Sequence, residues 1–162
     1  MKYLPFLFVL VLIGCGPAKP SNFPPLASCK VKVHDNGRPL AQIGISFQRI
    51  EGHGGWSLGG QTESNGIAVA QTVAGSFRAK GIPTGTYRVS LSERIELPPE
   101  LIFDELAGTT EKQMQDNAKK QQKYLAEHRT LPEILCDPSR TPLELTVTAS
   151  GAELDIDVAR FK

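Results

Sequence analysis

Strict two-residue alternation is the feature that most limits what this chain can fold into. Leu154, Ile156 and Val158 alternate with Glu153, Asp155 and Asp157, and side chains two apart share one face only in an extended strand. The same period runs through Val31 and Val33 against Lys30 and Lys32, through Ile43, Ile45 and Phe47, through Tyr87, Val89 and Leu91, and through Leu143, Leu145 and Val147. Two more strands are expected around Ser57 to Thr62 and within Ile67 to Ala79. Turn residues separate the runs: Asp35-Asn36-Gly37, Gly52 to Gly55, Ser64-Asn65-Gly66, Pro83-Thr84-Gly85 and Ser150-Gly151. These residues tolerate positive φ or a tight reversal. About seven short strands at this spacing predict a mainly β protein built as an antiparallel β-sandwich.

One segment departs from that period. Glu111 to Arg129 is rich in Gln, Lys, Glu and Ala, holds no Gly or Pro, and follows Thr110 with Gln113 three residues on. This is a capping-box arrangement ahead of good helix formers. Its apolar stripe of Met114, Ala118, Tyr124 and Leu125 is thin, so a helix inserted over about 110–129 is predicted to lie on the sandwich surface. Pro132 closes the segment.

The N-terminus obeys another rule. Lys2 precedes an apolar run from Leu4 to Ile13, interrupted only by Pro5, the layout of a secretory signal. The run is about half the ~20 residues that a spanning helix needs. Its end, Leu12-Ile13-Gly14-Cys15, resembles the bacterial lipobox. That resemblance implies that residues 1–14 are removed and that Cys15 becomes the acylated first residue, a palmitate-type anchor to the membrane. Gly16 stands where an aspartate would signal inner-membrane retention, so the expected address is the cell envelope, outer membrane over inner, with the body in the periplasm or at the cell surface. Pro17, Pro20, Pro24 and Pro25 with Ser21 and Asn22 give residues 15–27 the composition of an extended tether, ahead of one domain over 28–162.

Charge excludes one class of partner. Lys2 is the only charged residue in the signal, so the remaining Lys and Arg balance the 17 acids. A neutral body has no electrostatic footprint for nucleic acid. With Cys15 assigned to the anchor, Cys29 and Cys136 form an even pair in an oxidising compartment. A disulfide between them is the expectation, with two separate buried thiols as the alternative; a bridge across so long a loop would stabilise by up to about 4.7 kcal/mol.

The segments Gly75-Ser76-Phe77 and Gly81-Ile82-Pro83-Thr84-Gly85-Thr86-Tyr87-Arg88-Val89 resemble the carboxypeptidase-regulatory-like family. Asp35-Asn36-Gly37-Arg38-Pro39-Leu40, Thr62-Glu63-Ser64-Asn65-Gly66 and the stretch from Pro132 to Leu143 are similar to further landmarks of that family. The resemblance covers about Cys29 to Val158. It implies a seven-stranded transthyretin (prealbumin)-like sandwich with the helix as an elaborated loop, and it carries no catalytic residue. Tyr87 is expected in the core with its hydroxyl on nearby backbone, as in a tyrosine corner.

Candidate chemistry is sparse. Gly55-Trp56-Ser57-Leu58-Gly59 fits the G-x-S-x-G pattern, but a nucleophile elbow needs a helix after the serine. Asp104 or Asp116 with His128 would complete the chain order of a hydrolase triad. The Tyr-Arg-Gly-Ser terminus of transthyretin-like hydroxyisourate hydrolases is absent, because the chain ends Ala159-Arg160-Phe161-Lys162. His34, His53 and His128 share no helical or strand spacing that suits a metal. Glu153, Asp155 and Asp157 share a strand face that would attract calcium or, as outward charges, would guard an edge. Trp56, beside Gly52-His53-Gly54-Gly55, is the strongest local signal for binding, because loops at sandwich ends carry recognition. The expectation is a non-enzymatic envelope module without cofactor or metal, binding an envelope protein or glycan through His53 and Trp56; the alternative is a hydrolase acting through Ser57.

Overall fold

The computed structural model describes residues 19–20, 22–51, 55–102 and 111–162. The chain is mainly β, with strands β1 (Leu26–Ala27), β2 (Cys29–Asp35), β3 (Arg38–Pro39), β4 (Gly44–Arg49), β5 (Ser57–Gln61), β6 (Ile67–Val69), β7 (Gln71–Ala74), β8 (Phe77–Lys80), β9 (Ile82–Pro83) and β10 (Gly85–Ser92). Helices α1 (Glu111–His128) and α2 (Glu133–Cys136) follow, then β11 (Glu144–Val147) and β12 (Ala152–Asp157). Six strands form one antiparallel sheet in the order β11-β10-β4-β5-β7-β8. A second sheet is centred on β2, which carries β12 on one side and β3 and β6 on the other, while β1 pairs with β9.

The alternation predicts which side chains are buried. Val31 and Val33 from the second sheet, and Ile45, Phe47, Tyr87, Val89, Leu91, Leu145 and Val147 from the first, belong to one hydrophobic cluster. Their neighbours Lys30, Lys32, Ser46, Gln48, Arg88, Glu144 and Thr146 are exposed. Removal of this apolar surface from water is the main force holding the sheets. Tyr87 is fully buried, and its hydroxyl donates to the Pro83 carbonyl at 2.7 Å.

Two strand expectations need correction. The stretch Ile67 to Ala79 is not one strand but β6, β7 and the start of β8. Between β6 and β7 the chain crosses from the second sheet to the first at Ala70, whose N–H donates to the Cys29 carbonyl at 2.9 Å. Gly75, at φ 61°, then makes the reversal into β8. Nor is the second sheet wholly antiparallel, because β12 runs parallel to β2. The turn that delivers it brings Gly151, at φ 100°, so close to Ser28 that a Cβ would sit 2.6 Å from its carbonyl oxygen.

Helix α1 lies outside the core, as its thin stripe requires. None of its residues is buried, Met114 is half exposed, and the Gln121 side-chain amide donates to the Leu101 carbonyl in a short 3-10 turn (Pro99–Leu101). The expected N-cap, Thr110, falls outside the described residues. After the helix, the Glu93 carboxylate accepts from the N–H groups of Thr130 and Leu131 at 2.9–3.0 Å, fixing the exit to the end of β10. Leu135 of α2 is fully buried in the cluster.

Candidate functional site

The loop before β5 delivers Trp56, and the sheet around it opens. The β4–β5 ladder runs from Gly44↔Gln61 to Ser46↔Gly59, whereas β4 stays paired with β10 as far as Arg49↔Tyr87. Where β4 and β5 part, a groove of about 480 Å³ is lined by the apolar residues Phe47, Trp56, Leu58, Pro83, Tyr87 and Pro138 and by the polar residues Ser46, Gln48, Arg49 and Ser57. A mixed lining of aromatic surface and a few polar groups is the usual makeup of a ligand site. Arg49 is held by a bond from Nη2 to the Thr84 carbonyl at 3.3 Å. Gly85 leaves it room, since a Cβ there would lie 3.2 Å from Arg49 Nε.

Trp56 is not loose in this loop. Its ring lies 5.4 Å from that of Phe23, tilted by 55°, and Phe23 meets Phe77 edge-on at 5.0 Å and 79°. Each such pair is worth about 0.5–1.5 kcal/mol beyond its buried area. Phe23 comes from the proline-rich segment, so the body begins earlier than residue 28: Leu26 pairs with Pro83 and Ala27 with Ile82. Sequence reasoning found Trp56 but missed Phe23, whose one signal was an aromatic residue among prolines.

The G-x-S-x-G pattern has a different explanation here. Ser57 is the exposed first residue of strand β5 and not the apex of a strand-to-helix turn, so the elbow geometry of the hydrolase alternative is missing. Gly59 and Gly60 serve packing: a Cβ at Gly59 would lie 2.6 Å from the Ile45 carbonyl oxygen, and one at Gly60 would lie 3.1 Å from that of Val69. His128 is stacked on Tyr124 at 3.8 Å with Nδ1 2.9 Å from the Tyr124 carbonyl oxygen. Asp116 is an exposed residue of α1. Asp104 and His53 lie outside the described residues, as does Cys15.

The acidic strand face forms a ladder of ion pairs. Parallel register sets Glu153 beside Lys30, Asp155 beside Lys32 and Asp157 beside His34, with Lys–carboxylate distances of 3.5 and 3.3 Å for the first two. His34 Nε2 lies 2.8 Å from Asp155, and the Gly37 N–H donates to Nδ1 at 3.1 Å. Asp157 accepts from the N–H of Asn36 at 3.0 Å, which with the N–H of Ala159 and the charges of His34 and Arg160 holds its carboxyl below the usual range. These carboxylates are committed to cations and backbone, which leaves the calcium reading without a coordination set. Among the described residues, no three His, Cys, Asp or Glu side chains are gathered as a metal site.

The expected bridge is not formed: Cys29 and Cys136 are free thiols. Cys29 opens β2 and is fully buried, whereas Cys136 ends α2 and is half-buried. Burial pushes the Cys29 thiol up to about 11, and burial foremost also raises Cys136, whose Sγ faces the Pro132 carbonyl at 3.6 Å. Neither is an activated nucleophile.

Comparison with protein-family models, with curated proteins and with solved structures finds no match. Among the described residues, no helix is long and apolar enough to cross a membrane.

Proposed function

We propose that this chain is a non-enzymatic envelope lipoprotein, a transthyretin-like β-sandwich held to the membrane through acylated Cys15 and binding an envelope partner at its Trp56 end. The observation that carries the binding role is the groove between β4 and β5, walled by Trp56 and bordered by the polar residues Gln48, Arg49 and Ser57. Two things support the sandwich reading: two sheets contribute to one core, and the Tyr87 hydroxyl bonds the backbone four residues upstream. The family resemblance itself rests on the quoted motifs alone. The anchor reading rests on Leu12-Ile13-Gly14-Cys15.

The test is a photo-crosslinking amino acid at position 48, introduced into the protein in intact cells. The proposal expects a discrete crosslinked species in the membrane fraction, lost when Trp56→Ala is combined with the probe. A protein that crosslinks to nothing, or equally well without the Trp56 ring, would refute a binding role for this end.

A further inference from the structure

Phe23, near the end of the proline-rich segment, packs onto the body through Trp56 and Phe77. Phe23 N–H donates to the Pro20 carbonyl at 3.1 Å, closing a turn, and Lys19 Nζ lies 5.5 Å above the Phe23 ring. Two prolines follow, and the chain then enters β1. The surface beneath Phe23 continues the core side of the six-stranded sheet. Phe77 stands opposite Ala74, two residues along from the pair of Ala79 with buried Thr72, and Leu58 stands opposite Thr72 with Trp56 two residues before it. Strand parity therefore places Trp56, Ala74 and Phe77 on one face. The seat holds an aromatic ring at the end of a turn, flanked by prolines whose fixed φ lowers the entropy that ordering costs.

We propose that this surface is a receptor for a proline-flanked aromatic residue, filled in cis by Phe23, and that a partner protein carrying a segment of the same chemistry replaces it in trans and releases the tether. The inference rests on reading the Trp56 end as the binding end. It does not depend on acylation of Cys15, so a lipidation assay and the experiment below fail separately.

The chain has one tryptophan, so Trp56 emission reports the seat directly. In the full chain, Phe23→Ala is expected to shift that emission to the red and to increase its quenching by acrylamide, with the far-UV spectrum unchanged; Phe23→Leu is expected to recover part of the shift. A short linker gives its tethered group an effective concentration in the millimolar range. A synthetic peptide copying residues 21–26 is therefore expected to restore the blue emission of Phe23→Ala at millimolar concentration, and a peptide with alanine for phenylalanine is not. If Phe23→Ala unfolds, the same peptide added to the natural chain must expose the tether to proteinase K. Unchanged emission in a folded Phe23→Ala protein, indifference of that variant to the phenylalanine peptide, or a tether that stays protected would each overturn the proposal.

Discussion

Replacing Tyr87 with phenylalanine isolates one atom of the core. The hydroxyl is fully buried and makes a 2.7 Å bond to the Pro83 carbonyl, while the ring, set edge-on to Phe47 at 6.3 Å and 85°, is retained. Phenylalanine therefore removes a hydrogen bond and leaves a buried acceptor without its donor, at a cost of about 1–2 kcal/mol. Tyr87→Ala removes the ring as well and is expected to cost about 3–5 kcal/mol. With a urea m-value of about 1–3 kcal/mol/M, the phenylalanine change lowers the unfolding midpoint by roughly 0.3–2 M at unchanged slope. The two proteins also differ in alkali. Burial first, with the Cys29 charge and against that of Arg49, raises the Tyr87 pKa above its unfolded value. The stability linked to it is full below the unfolded pKa and is lost as pH rises through the folded one. Tyr87→Phe should flatten that alkaline decline. A midpoint shift within error, or an alkaline limb identical to that of the natural chain, would show that the hydroxyl is not buried against Pro83.

Three further outcomes follow from the same geometry. Gly81 has φ 96° and a Cβ there would lie 2.6 Å from the Ala27 carbonyl oxygen, whereas Gly75 at φ 61° has open space; urea titration should find Gly81→Ala costing more than about 2 kcal/mol and Gly75→Ala about 1 kcal/mol. Asp157, with its pKa lowered chiefly by the Asn36 N–H, contributes stability present above its unfolded pKa and lost as pH falls through the folded one, so Asp157→Asn should weaken the protein at neutral pH and flatten its acid limb. Iodoacetamide at mildly alkaline pH should label native Cys29 very slowly, and both cysteines should label fully in denaturant without a reductant; a requirement for reductant would show a bridge.

The strands were legible because their alternation is a direct record of which face is dry. Val31, Val33, Ile45, Phe47, Val89, Leu91, Leu145, Val147 and Ile156 are all buried. Pairing partners were not legible, since Lys30, Lys32, Glu153 and Asp155 reveal complementary charge only once β2 and β12 are known to be neighbours in register. The crossing at Ala70 escaped notice for a similar reason: a small buried residue between two strands has no distinctive local pattern. Trp56 stood out by its rarity, but its meaning came from Phe23, more than thirty residues away in a segment whose composition suggested only a spacer. The cysteine pair shows the limit of counting, because spacing holds no information on the distance between thiols.

The proposed envelope address depends on the modification of one residue, Cys15, at its sulfur and its α-amine. Mass spectrometry of the N-terminal peptide from protein extracted out of native membranes tests that most directly. The account predicts a peptide beginning at Cys15 and carrying the added mass of diacylglyceryl and acyl groups. A peptide beginning at Met1, or an unmodified cysteine in protein recovered from the soluble fraction, would contradict it.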